Sequence, residues 1–502
     1  MKLVKKSPLI LKEGSKRTEG EEAVRVNITA AKVIGETVRS TLGPRGMDKM
    51  LVDRLGGIVI TNDGATILEE IDVRHPAAKI MVEIARTQDS EVGDGTTTAV
   101  LLATELLTQA EKLLTVKIHP NTIINGYKKA LAKSQEILQD LALPITLDNH
   151  EILKKIAKSA INSKLLRDKE EYFANIAVQS ILKIQEIRDN SSYADIEKIQ
   201  IVKHQGTSLS DTIMVDGIIL EKEIEHPLMI KKVDNAKIAL LNMPLEIEKT
   251  KFDTEIRITN PYQIKSYLDE EEDILRSMVK KIRDVGANVV ISQKGMTLLV
   301  EHLLAKNKIL AIKRIKKKEM MKIRRAVGGK VVSGLEDLTP ELLGDAGQIE
   351  EKMIGTKKMI FIEDCQNPRS VSILIRGSIE HLLHEVERTL IDAMSVVADI
   401  VKNNKYITGG GSLEIELAKK LRQYANKIGG REQLAIEAFA DTLETIPKTL
   451  AGNAGYDPID IIVELRAKHH SSENKYYGFE VFTGKVLDMK EFGVLEPLLV
   501  KL

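Results

Sequence analysis

The chain of 502 residues has one cysteine, no tryptophan and only 3% aromatic residues. A single cysteine excludes an internal disulfide and any paired-cysteine metal or redox site. Few aromatic side chains disfavour a surface that stacks on nucleic-acid bases. Lys and Arg number 74 against 73 Asp and Glu, so the net charge of +1 gives no overall attraction to nucleic acid or to anionic membranes. We therefore expect no nucleic acid and no membrane among the partners.

Long apolar segments are also lacking. No apolar run approaches the roughly 18 residues that a membrane-spanning helix needs. The apolar residues 8–11 are too few for the core of a signal peptide. These absences predict a soluble protein in the reducing cytoplasm, with Cys365 as a buried thiol beside the strand-like residues 359–362. A length of 502 residues suggests about three domains.

The two ends of the chain are helical in pattern. Within residues 24–143, an apolar stripe predicts one helix and the Leu- and Ala-rich residues 99–114 predict another. The stripe consists of Ile28, Val33, Ile34 and Val38. Helical patterns return after Asp392 and end in the strand-like residues 475–487.

The middle of the chain, residues 213–369, alternates short β-branched runs with helical patterns, which is typical of α/β domains. The runs are 213–215, 238–241, 289–291, 309–311, 331–332 and 359–362. We therefore expect one discontinuous domain from both chain ends, with an α/β domain inserted between them.

Two charged clusters have ordinary interpretations. His381 and His384 lie near Glu385 and Glu387 with conceivable metal-ligand spacing, but a polar helix face is the favoured interpretation. The basic run 313–325 could bind nucleic acid, yet it contains no aromatic residue, which favours a solvated face.

The chain contains no Walker A motif, no zinc-protease HExxH and no GxSxG, but it has several glycine-rich turns. In residues 42–46, Gly43 is a candidate helix C-cap, followed by Pro44. Residues 61–66 include Asn-Asp-Gly around Asp63, which predicts a turn after the strand-like residues 57–60.

A third turn, residues 91–98, has the composition of a phosphate site. Glycines let the backbone approach an anion, and the next helix offers its N-terminal N–H groups. Asp94 would repel phosphate unless Mg²⁺ lay between them. The alternative is a capped helix, because Gly-Asp-Gly-Thr-Thr is also a good N-cap sequence. A fourth turn before a helix, residues 408–412, favours a nucleotide.

Taken together, these segments resemble the group II chaperonins, the archaeal thermosome and its eukaryotic cytosolic relatives. The resemblance extends over nearly the whole chain in the expected order. Its motifs are LGPRGMDKMLVD (42–53), ITNDGATIL (60–68), VGDGTTTAV (92–100), INSK (161–164), GANVVISQKG (286–295), ILIRG (373–377), GGGSLEIELA (409–418), NAGYDPIDI (453–461) and GVLEPLLVK (493–501).

The resemblance implies a multidomain α and α/β fold. A helical equatorial ATPase domain would comprise residues 1–143 and 408–502, and an intermediate hinge domain residues 144–210 and 370–407. Residues 211–369 would form the inserted α/β apical domain. A helical protrusion at about residues 251–282 would serve as a built-in lid, although an ordinary amphipathic helix with an acidic turn at 269–273 is the alternative.

The resemblance also implies roles for individual residues toward the cofactors ATP and Mg²⁺. Asp392 and Asp63 would be the catalytic carboxylates that align water, Asp94 would hold Mg²⁺, and Lys164 would sense the γ-phosphate. The nucleotide would be bound by Gly43, Pro44, Gly95, Thr96, Thr97, Gly410, Gly411 and Glu496. For an Asp on a helix such as Asp392, a solvated residue is the alternative interpretation.

The implied function is that of an ATP-dependent chaperone that encloses non-native polypeptides in a double ring of identical or homologous subunits, without a separate co-chaperonin cap. Two features depart from the family pattern: Thr408 replaces a common Pro, and the chain ends directly after residues 493–501. An alternative is therefore a chaperonin-like protein-binding subunit with impaired assembly or ATP cycling. A small-molecule kinase would leave the middle zone unexplained.

Overall fold

The structure is a computed structural model that describes residues 18–52, 56–161, 166–188, 191–206, 208–247, 261–365 and 370–502. The helices are α1 (Gly20–Arg39), α2 (Gly64–Glu70), α3 (Pro76–Val92), α4 (Thr96–Thr115), α5 (Pro120–Leu141), α6 (His150–Ala160), α7 (Glu170–Ile184), α8 (Pro261–Asp284), α9 (Leu298–Lys306), α10 (Lys317–Val327), α11 (Glu380–Asn403), α12 (Ser412–Ile428), α13 (Gly430–Leu443), α14 (Thr445–Asn453), α15 (Pro458–Lys468) and α16 (Met489–Phe492).

The strands are β1 (Lys49–Val52), β2 (Ile58–Thr61), β3 (Leu143–Pro144), β4 (Glu186–Arg188), β5 (Ser191–Tyr193), β6 (Ile199–Gln205), β7 (Ile213–Val215), β8 (Gly217–Leu220), β9 (Lys232–Leu241), β10 (Val289–Ser292), β11 (Leu310–Ile312), β12 (Val331–Val332), β13 (Gly344–Ile354), β14 (Lys357–Cys365), β15 (Val371–Gly377), β16 (Lys405–Thr408), β17 (Tyr477–Glu480), β18 (Lys485–Asp488) and β19 (Leu495–Pro497).

The chain divides into two compact units: the first is Met1–Leu165 with Asn403–Leu502, and the second is Leu166–Lys402. Both chain ends thus lie in one helix-rich unit, and the α/β patterns of the middle zone lie in the other. The predicted fold class, multidomain α and α/β, is confirmed. Among the helices of the described ranges, none has the length and apolarity needed to cross a bilayer.

The first unit is built on packed helices. In α1 the buried positions include Ile28, Ile34 and Val38, which repeat with helical spacing and face α3 and α4. The predicted stripe was wrong at Val33, which is 61% exposed because it lies on the other side of this helix. Helices α12 and α13 pack together with α5 around a second apolar cluster.

A three-stranded sheet joins distant parts of the first unit. Strand β16 pairs antiparallel with β3 on one side and with β19 on the other. This pairing places the turn after β16 next to the residues of β19. The predicted strand-like residues 475–487 form the antiparallel pair β17 and β18.

The second unit contains a seven-stranded mixed sheet in the order β11-β10-β9-β13-β14-β8, with β12 paired to β9. Strands β9, β10 and β11 run parallel, as expected where helices connect successive strands. A three-stranded sheet, β6-β15-β7, packs through Val202 and Leu374 against Phe361. Helix α8 is continuous through the acidic residues 269–273, and its Leu275, Val279 and Ile282 are buried.

Two side chains of the second unit test predictions from the sequence. Cys365 is buried at the end of β14, as predicted, and burial raises the pKa of its thiol to about 12. The basic run 313–325 was predicted to be a solvated face, and six of its eight basic residues are exposed, but Lys313 departs from this prediction. Its ammonium lies between Glu301 and Glu225, at 2.5 and 2.8 Å, and its side chain is 13% exposed.

Candidate functional site

The turn that contains Asp94 connects two helices of the first unit. Helix α3 ends at Gly93, whose φ of +65° is left-handed, and Gly95 repeats this conformation at the start of α4 with a φ of +77°. Both positions favour glycine, because a side chain is strained there. In this described segment no side chain caps the N-terminus of α4. The turn therefore exposes helix N–H groups to an anion, and the capped-helix alternative lacks the capping bond it needs.

Asp63 joins the turn at residues 61–66 to the turn that contains Asp94. It is the N-cap of α2, where its carboxylate accepts hydrogen bonds from the backbone N and the hydroxyl of Thr66, at 2.8 and 2.7 Å. The hydroxyl of Thr96 donates to its other oxygen at 3.2 Å. A methyl group on Gly64 would lie 2.5 Å from Thr97 Oγ1, so the two turns touch. Asp63, Thr96 and Thr97 thus form one polar surface.

Asp94 is a carboxylate whose charge is disfavoured. Burial raises its pKa to about 6, and the negative charges of Glu496 and Asp63 add to the effect. The hydrogen bond from the Gly95 N–H, 2.6 Å from Asp94 Oδ1, and the charge of Lys501 act in the opposite direction. Three carboxylates therefore share this corner of the unit, which favours a cation.

Lys501 places a positive charge beside the carboxylates of this corner. Its ammonium lies 3.0 Å from Glu414 Oε1 and 3.2 Å from Glu496 Oε2. Burial disfavours the charge of Lys501, but the two carboxylates outweigh burial and raise its pKa. Glu414, on α12, is 4% exposed, so the ion pair is largely shielded from water.

The triple-glycine turn lies beside Glu496. Gly409 N donates to Val494 O at 3.0 Å, and a methyl group on Gly409 would lie 2.7 Å from Glu496 Oε1. Gly411 then starts α12 at its N-terminus, without a side-chain capping bond in this described segment.

Helix α14 connects this turn with the one that contains Gly43. A methyl group on Gly411 would lie 2.6 Å from Pro447 Cβ, and one on Gly43 would lie 2.4 Å from Leu450 Cδ2. Pro447 and Leu450 lie three residues apart on the same helix. Asn453 Nδ2 also donates to Leu42 O at 2.9 Å. The two turns therefore rest on a common support.

The position of Gly43 differs from the prediction that it is a helix C-cap. Helix α1 ends at Arg39 with Ser40 as its C-cap, so Gly43 is not the C-cap residue. Instead Gly43 and the half-buried Pro44 form a separate loop, in which Gly46 N donates to Gly43 O at 2.8 Å. The guanidinium of Arg45 lies 5.3 Å from the centre of the Phe482 ring, which fixes this loop to the β17–β18 pair.

The predicted site residues divide into three groups. The first unit holds Asp63, Asp94, Glu496 and the glycine turns, with Lys501 and Glu414 as members that the sequence reasoning missed. Asp392 lies on α11 of the second unit and is partly exposed. Lys164 lies outside the described residues.

The donor set fits Mg²⁺ held jointly with phosphates. Across the described part of the chain, no three His, Cys, Asp or Glu residues are grouped to hold a metal ion. His384 instead contacts Lys203 and Glu387, as expected for a polar helix face. Mg²⁺ usually takes one or two protein carboxylates together with nucleotide phosphates and water. Asp94, which directly precedes the uncapped N-terminus of α4, suits that mode.

Comparisons with known proteins agree along the chain. Residues 34–502 match the TCP-1/cpn60 chaperonin family. A thermosome subunit beta of Desulfurococcus mucosus is 52% identical over 482 residues, 96% of this chain and 96% of that protein. A thermosome subunit beta of Sulfurisphaera tokodaii is 51% identical over 494 residues, which are 98% of this chain and 90% of that protein. A thermosome subunit of Pyrococcus horikoshii is 52% identical over 493 residues, with the same two coverages, 98% and 90%.

Proposed function

The chain belongs to the TCP-1/cpn60 chaperonin family, and we propose that the turns around Asp94 are its ATP site. As a chaperonin it is an ATP-dependent chaperone, and its enzymatic activity is ATP hydrolysis. The observation that supports the site most strongly is the electrostatic effect of Glu496 and Asp63 on Asp94, beside the uncapped N-terminus of α4.

The proposed roles follow from charge and position. The N–H groups and hydroxyls at Gly95, Thr96 and Thr97 would bind phosphate oxygens, with Gly43 and Pro44 beside them. Asp94 would hold Mg²⁺, which neutralises phosphate charge when bound. Gly410, Gly411 and Glu496 would contact the nucleoside part. Phosphoryl transfer needs mainly positioning and charge neutralisation, which this arrangement of donors supplies.

Two further roles rest on the sequence motifs. We propose that Asp392 orients the attacking water, and that Asp63 assists as the second carboxylate. Lys164, in the INSK motif, is proposed to sense the γ-phosphate.

The second unit is proposed to bind non-native polypeptides, and the three-domain division at residues 143, 210, 369 and 407 stays a prediction. Helix α8 supports the proposal of a built-in lid, because it is long and continuous, with an exposed acidic segment at 269–273. Residues 251–260 of the proposed lid region lie outside the described part. A double ring of identical or homologous subunits, no separate cap and a cytoplasmic location belong to the same proposal.

The experiment that tests this function has two readouts on the purified protein. Light scattering gives the particle mass with and without Mg-ATP, and a refolding assay gives the yield of a denatured test protein with ATP or with ADP. We expect a particle many times 55.9 kDa and a higher yield with ATP. A monomer under both conditions, with no ATP-dependent yield, would contradict the proposal. Nothing in the described residues or in the comparisons favours the alternative of an impaired subunit.

A further inference from the structure

His469 is a buried histidine at the end of α15, only 1% exposed, that plays no part in the site described above. Its Nδ1 lies 3.0 Å from Glu416 Oε2, and its Nε2 lies 2.7 Å from the backbone oxygen of Tyr477. Its own backbone oxygen accepts a hydrogen bond from Lys419 Nζ at 2.5 Å. Helix α15, helix α12 and strand β17 therefore meet at one side chain.

The partners of His469 determine where its hydrogens are. The backbone oxygen of Tyr477 only accepts hydrogen bonds. Burial opposes the charge of Glu416, but the bond from His469 and the charges of Lys419 and Lys420 outweigh burial and lower the pKa of this carboxyl. An ionised Glu416 also only accepts. Both ring nitrogens therefore lie against acceptors, and the Nε2–H of His469 donates to the backbone oxygen of Tyr477.

Strand β17, which His469 holds, lies against the triple-glycine turn. Phe479 N donates to Gly410 O at 2.8 Å. A methyl group on Gly478 would lie 2.9 Å from Gly410 O and 3.0 Å from Gly409 O, so the two backbones are in close contact. Glu416 belongs to α12, the helix that directly follows this turn. His469 thus ties together the two elements that flank the turn.

We propose that His469 is a positioning residue of the nucleotide site, which holds β17 against the turn at Gly409–Gly411 through its Nε2 bond to Tyr477. This inference rests on the proposed ATP site. Loss of the bond would loosen the Tyr477 end of β17, and the turn would shift with the strand, because Phe479 N of β17 donates to Gly410 O. Nucleotide affinity would fall while the groups that carry out hydrolysis stay in place.

Two matched variants separate this role from general stability. The amide nitrogen of His469→Gln reaches the place of Nε2 and keeps the bond to Tyr477, whereas that of His469→Asn reaches only the place of Nδ1 and keeps the bond to Glu416. Both replacements are neutral and polar. Titration calorimetry of Mg-ADP into the assembled full-length protein measures the affinity of each.

For His469→Asn we expect the Kd of Mg-ADP to rise about five- to tenfold, which is the size of effect expected from the loss of one buried hydrogen bond. The kcat at saturating ATP should stay within about twofold, so the change appears in KM. For His469→Gln the Kd should stay within about twofold of the parent value. Tyr127→Phe, which removes a 2.9 Å bond to Leu106 O elsewhere in the same unit, should leave the Kd unchanged.

Equal affinities in the Asn and Gln variants, whether both normal or both weakened, would overturn the proposal. If circular dichroism shows that the Asn variant does not fold, Glu416→Gln tests the proposal instead. In that variant the ring of His469 still donates from Nε2 to Tyr477 O. Parent-like affinity in that variant supports the proposal, and a fivefold loss overturns it. A parent protein that binds no Mg-ADP would instead overturn the ATP site itself, and this inference with it.

Discussion

Lys501 Nζ lies 3.2 Å from Glu496 Oε2, which links the proposed nucleoside contact to a buried positive charge. The same ammonium reaches the buried Glu414 at 3.0 Å. Because Glu496 also raises the pKa of Asp94, the charge of Lys501 moderates the repulsion among the carboxylates of the site. One lysine therefore contributes both to the stability of the first unit and to its affinity for an anion.

Lys501→Met should destabilise the first unit. The change leaves Glu414 buried without its cation, which costs about 3–5 kcal/mol in the free energy of unfolding. Denaturant titration at a fixed protein concentration measures this loss. The control is Lys129→Met, which removes an exposed pair with Glu432 at 2.5 Å and should change stability little. Equal effects of the two substitutions would contradict the assigned importance of the buried pair.

Lys501 also marks the limit of what the sequence alone could predict. The glycine turns, Asp63 and Asp94 were predictable, because each belongs to a local pattern of turn residues before a helix. Lys501 and Glu414 are 87 residues apart, and their meeting depends on the pairing of β16 with β19. No sequence pattern near Lys501 indicates that β19 pairs with β16. The one available signal is that Lys501 lies five residues after Glu496.

The errors in the fold have similar physical causes. The α/β runs of the middle zone were recognised, because β-branched residues cluster in buried strands such as β10. Val33 was assigned to the wrong side of α1, since an apolar residue adjacent to a buried one looks like part of the stripe. Lys313 was taken as solvated, because its partners Glu225 and Glu301 are supplied by tertiary contacts.

Gly95→Ala should weaken nucleotide binding. A methyl group there would lie 2.9 Å from Val500 Cγ1 and 3.2 Å from Gln88 Nε2, in a backbone conformation that disfavours alanine. The turn must then move, and we expect the Kd of Mg-ADP to rise about tenfold or more by calorimetry. Gly430→Ala is the matched control, because its φ of +67° brings the same strain with no atom within 4 Å. A similar Kd in both variants would argue against a phosphate contact at Gly95.

Asp94→Asn should stabilise the nucleotide-free protein near neutral pH. The pKa of Asp94 is raised from 3.8 to about 6, so the folded protein holds a proton that the unfolded chain releases. The stability that Asp94 contributes is therefore full below about pH 4 and lost as the pH rises through about 6. At pH 7.5 the Asn variant should be more stable by roughly 1–3 kcal/mol.

The measurement for Asp94 is the difference in unfolding free energy between parent and Asn variant, taken at several pH values without Mg²⁺. The difference should shrink as the pH falls from 7.5 to 4, since protonated Asp and Asn are then alike. A difference independent of pH would contradict the raised pKa. The same ionisation predicts that Mg-ATP binding by the parent weakens as the pH falls below about 6.

Asp392→Ala should keep ATP binding and lose most turnover. If this carboxylate orients the attacking water, its removal leaves the phosphate contacts intact and takes away only a group that acts in the transition state. We expect the Kd of Mg-ADP to stay within about twofold of the parent value while kcat falls about a hundredfold or more. Calorimetry and a steady-state phosphate-release assay give the two quantities. Glu380→Ala, an exposed acid on the same helix, is the control and should change neither. Unchanged turnover in Asp392→Ala would remove this residue from the catalytic assignment, and loss of binding would make it a ligand contact instead.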